Sequence, residues 1–186
     1  MKLALAAVVA LAAVAQTAYA SPEDQQSSVN ATLGLATPVG EVGVEGTFVL
    51  DYFELGVGVG LSNMIGGTSD GDKKGSPQLQ VALMPRARVP IGKRTLLTFG
   101  VGLSGGEYVV ASSPFSSDPY DAKAMALWAN TEAGIEVFLP GGYTFGAYGG
   151  YGKVIAHGDV TTPNAGRMVL PDDSLPYLGI KLGHVL

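Results

Sequence analysis

Hydrophobic and polar residues alternate one by one over most of the chain, which is the pattern of a β-strand with one apolar face. The clearest segment is 53–62, in which every odd-numbered residue is Phe, Leu or Val and most even-numbered residues are Gly. Seven further segments alternate in the same way, beginning near Val29, Val42, Leu79, Leu97, Met125, Tyr143 and Leu178. The pattern predicts an all-β fold of about eight strands.

The connections between these segments differ in length in a regular way. Short turns at Asp51, Pro90–Lys93 and Pro140–Gly142 follow the second, fourth and sixth strands, whereas long polar loops at 63–77, 112–121 and 157–174 follow the third, fifth and seventh. All long loops then lie at one end of a closed, up-and-down antiparallel β-barrel, as in transmembrane barrels. Only the first connection at that end, at Pro38–Gly40, is unexpectedly short.

One strand is less regular than the others. In the segment that begins at Tyr143, the alternation is blurred by Gly146, Gly149, Gly150 and Gly152. Glycine inside a strand weakens the pattern and often marks a bulge. We therefore expect a bulge or a kink among these glycines.

The first twenty residues predict export from the cytoplasm. Lys2 is followed by an almost pure Ala, Val and Leu stretch and then by Ala18-Tyr19-Ala20, the arrangement of a cleaved signal peptide. The interpretation divides the chain into a signal peptide at 1–20, a flexible periplasmic lead-in at 21–27 and a barrel domain at 28–186. The chain has no Cys, so neither a lipid anchor nor a disulfide framework is expected.

Charge is sparse and lies on the non-apolar strand faces. The chain has 11 Lys and Arg against 16 Asp and Glu, and this acidic balance argues against nucleic acid as a partner. So few charges could not cover a water-exposed surface, which favours apolar faces towards lipid and charges in the lumen. The predicted lumen charge network consists of Glu45, Glu54, Arg86, Arg88, Glu132, Glu136 and Lys181.

Several glycines share the inward faces with these charges. An eight-stranded barrel has room only for side chains, so we expect Gly56, Gly58, Gly100 and Gly102 to leave space for Trp128 and the two arginines. Buried charges must be paired, and the near balance of acids and bases permits it.

The alternation continues to the last residues, where Tyr177, Leu178, Ile180 and Leu182 precede a terminal Leu186. With this strand and the loop pattern, the chain resembles the small eight-stranded outer-membrane barrels, the family of OmpX, the opacity proteins and the OmpA membrane domain. The resemblance implies the outer membrane of a Gram-negative bacterium, contact with its lipid, and insertion by the outer-membrane assembly machinery. That machinery reads an alternating C-terminal strand with a terminal aromatic residue, a position held here by Leu186.

The sequence contains few candidate catalytic or metal-binding residues. A hydrolytic barrel of the lipid A deacylase kind would gather a His, a Ser and a carboxylate at the outer face. His184 lies near the opposite end, and His157 with Asp159 lacks the His-x-Ser pattern. Ser69–Asp72 resembles a calcium loop but lacks the closing Glu. No enzyme activity, cofactor or metal is therefore predicted.

Tyrosines fall near the predicted strand ends, at Tyr108, Tyr120, Tyr143 and Tyr177. Aromatic girdles are expected at these heights in membrane barrels. The leading hypothesis is a non-enzymatic outer-membrane barrel with a side-chain-filled lumen, which contributes to envelope integrity or to surface contact through its external loops. The alternatives are a narrow, porin-like pore for small solutes and a soluble exported barrel that binds an apolar ligand.

Overall fold

The computed structural model describes the barrel strands and most of their short connections. The described residues are 27–62, 78–110, 122–158, 160–162, 166–168 and 174–186. The predicted signal peptide, almost all of the lead-in, the loops at 63–77 and 112–121, and the calcium-like Ser69–Asp72 lie outside them.

The described residues form ten β-strands, eight of which close into one barrel. In the barrel, the strands neighbour one another in the order β1, β10, β7, β6, β5, β4, β3, β2, and each pair is antiparallel. The predicted closed up-and-down barrel is confirmed. The strands are β1 (Ser28–Leu35), β2 (Val42–Leu50), β3 (Phe53–Ser62), β4 (Gln78–Gly92), β5 (Thr95–Val110), β6 (Ala122–Phe138), β7 (Tyr143–His157), β8 (Val160–Thr162), β9 (Gly166–Met168) and β10 (Ser174–Val185).

The strands are strongly tilted. Following hydrogen-bonded partners once around the barrel from Lys153 returns to β7 at Tyr143, ten residues closer to its start. A shear of this size in eight strands corresponds to a tilt of about 35–45°. A barrel of this size encloses side chains and has no room for a wide aqueous channel.

The outward faces of the strands are apolar around the whole barrel. Val57, for example, is 46% exposed, whereas its neighbours Gly56 and Gly58 are buried. So large an exposed apolar surface suits contact with lipid rather than with water. The part of the chain that the structure describes holds no helix long and apolar enough to cross a membrane. Further members of this outward face include Leu33, Val44, Val81, Leu83, Val101, Leu103, Ile135, Ile180 and Leu182.

Two local expectations are wrong. The bulge of β7 does not lie among its glycines, which pair with β6 in unbroken register; it lies at Ile155, because Trp128 pairs with Val154 while Leu127 pairs with Ala156. The turn expected at 90–93 begins later, since β4 continues to Gly92. A register irregularity between Pro90 and Gly92 accommodates the missing N–H of the proline.

The described part of the long connection at 157–174 contains regular secondary structure. It contains the two-stranded hairpin of β8 and β9, in which Val160 pairs with Met168 and Thr162 with Gly166. This hairpin forms a sheet of its own, separate from the barrel.

The short connection between β1 and β2, at 36–41, folds into the barrel instead of projecting from it. Its Thr37, Pro38 and Val39 are buried, and Val39 packs against Ala82 and Met84. The Glu41 N–H donates to the Leu61 carbonyl at 2.8 Å, which fastens the connection to β3. We call this segment the inward loop, and its direction explains why it needs so few residues.

Replacing Val57 with Arg tests which face meets lipid. A cationic side chain at mid-depth on the lipid face of a barrel costs about 2–4 kcal/mol, so we expect Val57→Arg to lower the free energy of unfolding in lipid vesicles by that amount. The control Val57→Ile keeps the face apolar and should change it by less than about 1.5 kcal/mol. Urea titrations that gave both variants the same stability would contradict the assigned facing.

Candidate functional site

The inward residues of β4 divide the lumen into levels. Read from the loop end to the turn end, they are Gln78, Gln80, Ala82, Met84, Arg86 and Arg88. The two amides lie at the loop end, the two apolar side chains meet the inward loop, and the two arginines follow. Successive inward residues of a strand are regularly spaced along it. The order of residues in β4 therefore gives the order of the amide, apolar and charged levels along the barrel.

Arg86 is the centre of the charged level. It is 3% exposed and hydrogen-bonds to glutamates from three other strands. Its Nη2 and Nη1 donate to the two carboxylate oxygens of Glu45 at 2.7 and 3.0 Å, its Nε donates to Glu132 at 2.6 Å, and its Nη1 also donates to Glu54 at 3.3 Å. The two-pronged contact with Glu45 uses the planar guanidinium fully, which makes it a strong and directional pairing.

One hydrogen-bonded row of the barrel explains how these side chains meet. Successive partners around the row are Glu54, Arg86, Gly100, Glu132, Gly150 and Tyr177. Arg86 extends across Gly100 to reach Glu132, and Tyr177 extends across Gly150 to within 3.4 Å of the same carboxylate. A Cβ at Gly100 would lie 2.8 Å from Arg86 Cγ, so a larger residue would obstruct the arginine.

The structure places all seven residues of the predicted lumen network inside the barrel, in two groups. Arg88 joins the Arg86 group through Glu54, with Arg88 Nε and Glu54 Oε2 3.2 Å apart. Lys181 and Glu136 form a second pair, with Nζ and Oε2 3.0 Å apart. The seven side chains carry four negative and three positive charges, and the described contacts bring each of them to an opposite charge.

Apolar side chains lie on both sides of the charged level. Towards the loops, Val39 of the inward loop contacts Ala82 and Met84. Towards the turns, Leu96, Phe138 and Val185 form a second cluster. The lumen therefore changes in character along its axis, with a small apolar cluster on either side of the Arg86 group.

The glycines of the inward faces make room for particular side chains, although not always the expected ones. Gly56 and Gly100 adjoin Arg86, as expected. The nearest side chains to Gly58 and Gly102 are Val39 and Met84. The inward loop, which alternation cannot reveal, thus fills the space beside Gly58.

Sequence reasoning missed a buried amide. Asn30 is 0% exposed; its Nδ2 donates to Ser28 and Thr47, and its Oδ1 accepts from Thr144 at 3.0 Å. The cluster ties β1, β2 and β7 together near the turn end. A signal was available, because Asn is disfavoured in strands and Asn30 has inward parity.

Tyr177 was expected in an interfacial girdle but lies in the lumen. Its hydroxyl donates to the Thr131 carbonyl at 2.9 Å. Its ring covers Gly150, and in return the ring of Tyr148 on β7 covers Gly179 on β10. Tyr143, by contrast, is exposed near the short turns, where its ring meets His184 edge-on with centroids 5.2 Å apart.

The candidate catalytic groups remain apart. His157 is exposed at the loop end of β7, and Asp159 lies outside the described residues. His184 lies at the opposite end, beside Gly142. Within the described ranges, no three His, Asp or Glu side chains are arranged to hold a metal ion. The charged contacts described in the lumen are ion pairs that join different strands.

Comparison with known proteins adds information at the level of the fold. No protein-family model and no curated protein matches the sequence. Among solved structures, outer membrane protein H (OprH) from P. aeruginosa in DHPC micelles is similar, with 18% identity, a TM-score of 0.56, and coverage of 87% of this chain and 99% of OprH. This chain shares the fold of OprH. The fold expected from the resemblance to small outer-membrane barrels is thus confirmed.

A second solved structure, the Yersinia pestis outer membrane protein Ail in a phospholipid bilayer nanodisc, has 11% identity and a TM-score of 0.47 over 87% of this chain and 99% of that chain.

Removing the charge of Arg86 tests its central position. Arg86→Met leaves three buried carboxylates without their shared cation, and breaking such a buried group costs about 3–5 kcal/mol. The matched control is Arg88→Met in the same strand, which removes a cation with one described glutamate neighbour and should cost less. Chemical unfolding followed by gel mobility measures both. Equal losses for the two variants would contradict the central role of Arg86.

Proposed function

We propose that the protein is a non-enzymatic β-barrel of the bacterial outer membrane whose lumen is closed by its own side chains. Three observations support the location: the apolar outward face, the collection of long connections at one end of the barrel, and the fold shared with OprH. An exported chain that inserts in this way would enter by the predicted signal peptide and the outer-membrane assembly machinery, with outer-membrane lipid as its surrounding partner.

The observation that carries the closed lumen is the Arg86 group. A single guanidinium on β4 connects glutamates from the neighbouring strands β2 and β3 with one from β6, on the other side of β4. The inward loop covers this group on one side, and the Leu96 cluster covers it on the other. An ion crossing the lumen would have to displace paired charges and pass two apolar clusters, and separating buried ion pairs is costly.

A closed barrel gives the membrane a stable, cross-linked protein element instead of a passage for solutes. We infer that its contribution is to envelope integrity and to contact with the exterior through the loops at 63–77, 112–121 and 157–174. In outer-membrane barrels the longer loops face outward and the short turns face the periplasm. The same orientation places the inward loop at the outer mouth.

Conductance in a planar bilayer tests the closed lumen. The reconstituted protein should give no steady ohmic channels, since the charges of the lumen are paired and covered. A sixteen-stranded porin, which has an aqueous channel, serves as the positive control for reconstitution. Reproducible open steps from the folded protein would contradict the proposal and support the narrow pore.

Protease added to intact cells tests the orientation. Cleavage is expected within 63–77 or 112–121, because these connections would face the medium. The turn at Pro140–Gly142 should stay intact in intact cells and become accessible only after the outer membrane is permeabilised. Cleavage confined to that turn in intact cells would mean that the barrel is inserted the other way round.

A further inference from the structure

A cavity of about 270 Å³ opens at the loop end of the barrel, and the inward loop forms its floor. We call it the vestibule. Ala36, Thr37 and Pro38 of the inward loop line its base, and residues of β4, β5 and β6 line its walls. It lies beyond the Arg86 group and takes no part in the closure described above.

The walls of the vestibule carry buried polar side chains in fixed positions. Gln78, Gln80, Ser104 and Asn130 are each at least nine-tenths buried. Asn130 Nδ2 donates to Ser104 Oγ at 2.9 Å, and Gln80 Nε2 donates to the Glu107 carbonyl at 3.0 Å. Two of the amides are therefore oriented by the protein before any molecule enters.

Gln78 lacks such an arrangement. Its Nε2 is buried in the cavity wall and has no hydrogen-bond partner within the part of the chain that the structure describes. The amide nitrogen has almost no accessible surface, so an acceptor in the cavity can reach it only after the side chain turns towards the cavity. Gln78 therefore lines the vestibule without a described hydrogen bond that fixes its amide nitrogen.

Glycines opposite the amides keep the cavity open. Gln80 pairs with Gly106 across the ladder, and Asn130 pairs with Gly152. A Cβ at either glycine would come within 2.6 Å of the Gln80 amide or 2.8 Å of the Asn130 amide. The amide side chains can therefore lie against the wall, which leaves the middle of the vestibule for a ligand.

The remaining lining defines the chemistry of the ligand. Trp128 and Leu175 provide apolar surface, and Glu41 and Glu107 also contribute to the lining, while no Lys or Arg lines the cavity among the described residues. An anion would therefore find no cationic side chain among these residues. Amides both donate and accept hydrogen bonds, as hydroxyl groups require, and an indole ring packs well against the C–H face of a pyranose.

We propose that the vestibule binds one neutral sugar ring. Pockets for drug-sized ligands have volumes of roughly 300–1,000 Å³. The vestibule is slightly smaller, at about 270 Å³, which suits a ligand as small as one sugar ring. Because the inward loop closes the cavity beneath, the sugar is held at the outer mouth and does not pass through. The inference does not depend on the closed lumen: a conducting barrel could still bind the sugar, and a silent barrel that binds none would contradict this inference alone.

Trp128 is the single tryptophan of the chain, so its fluorescence reports on the vestibule alone. The folded protein in detergent micelles is titrated with methyl glucoside, methyl galactoside and N-acetylglucosamine, and with glucuronate as the anionic comparison. At least one neutral sugar should give a saturable change with a Kd on the order of 1 mM, and glucuronate should bind at least about tenfold more weakly. No saturable change with any neutral sugar, or equal binding of glucuronate, would overturn the proposal.

Variants locate the binding. Gln78→Leu should weaken sugar binding about tenfold, because it removes a hydrogen-bonding amide from the lining, whereas Thr131→Val, on the outward face beside Asn130, should leave binding unchanged. Gel mobility with and without heating confirms that each variant is folded. Side-chain amide NMR of the unaltered protein provides a test that needs no variant: the sugar should shift the signals of Gln78, Gln80 and Asn130. Unshifted amide signals at a saturating sugar concentration would overturn the proposal.

Discussion

The interior of an eight-stranded barrel is so narrow that a long side chain can extend across it only where a neighbouring inward residue is small. The protein meets this constraint by pairing large residues with glycine. Arg86 lies beside Gly100, Tyr177 beside Gly150, and Tyr148 beside Gly179. The high glycine content is thus a packing requirement of the lumen, and each glycine determines which neighbour can extend across the barrel.

This constraint also determines how charge is accommodated. A side chain that spans a glycine reaches a partner two strands away, so some ion pairs in the lumen connect strands that share no backbone hydrogen bonds. Arg86 on β4 and Glu132 on β6 are such a pair. A buried ion pair adds little net stability compared with apolar packing, but it penalises alternatives strongly. A shift of one residue in register would turn these charges towards lipid, so the pairs specify the register of the strands they join.

The barrel fold, and which residues face outward or inward, could be predicted from the sequence. The alternation of apolar and polar residues is visible without knowing which strands pair with each other. It was insufficient for the arrangement inside. That Arg86 meets Glu45, Glu54 and Glu132 depends on the shear between strands, which alternation does not encode. The bulge at Ile155 was misplaced because the glycines of β7, which normally suggest irregular backbone, instead make room for side chains of β10. The sequence predicts that the connection at Pro38–Gly40 is short but not its direction. Nothing in these residues distinguishes a turn that projects from the barrel from one that folds into it.

The inward loop also limits how the protein can change. A connection that projects into water accepts insertions readily, because its closure entropy rises slowly with length. The segment at 36–41 has buried backbone, a hydrogen bond to β3, and Gly40 at a φ of +87°. Extra residues there would have to leave through the mouth of the barrel and take Val39 with them. Sequence variation and engineered epitopes are therefore best accommodated in the other three connections at this end of the barrel. The four connections at the rim thus differ in how readily they accept insertions.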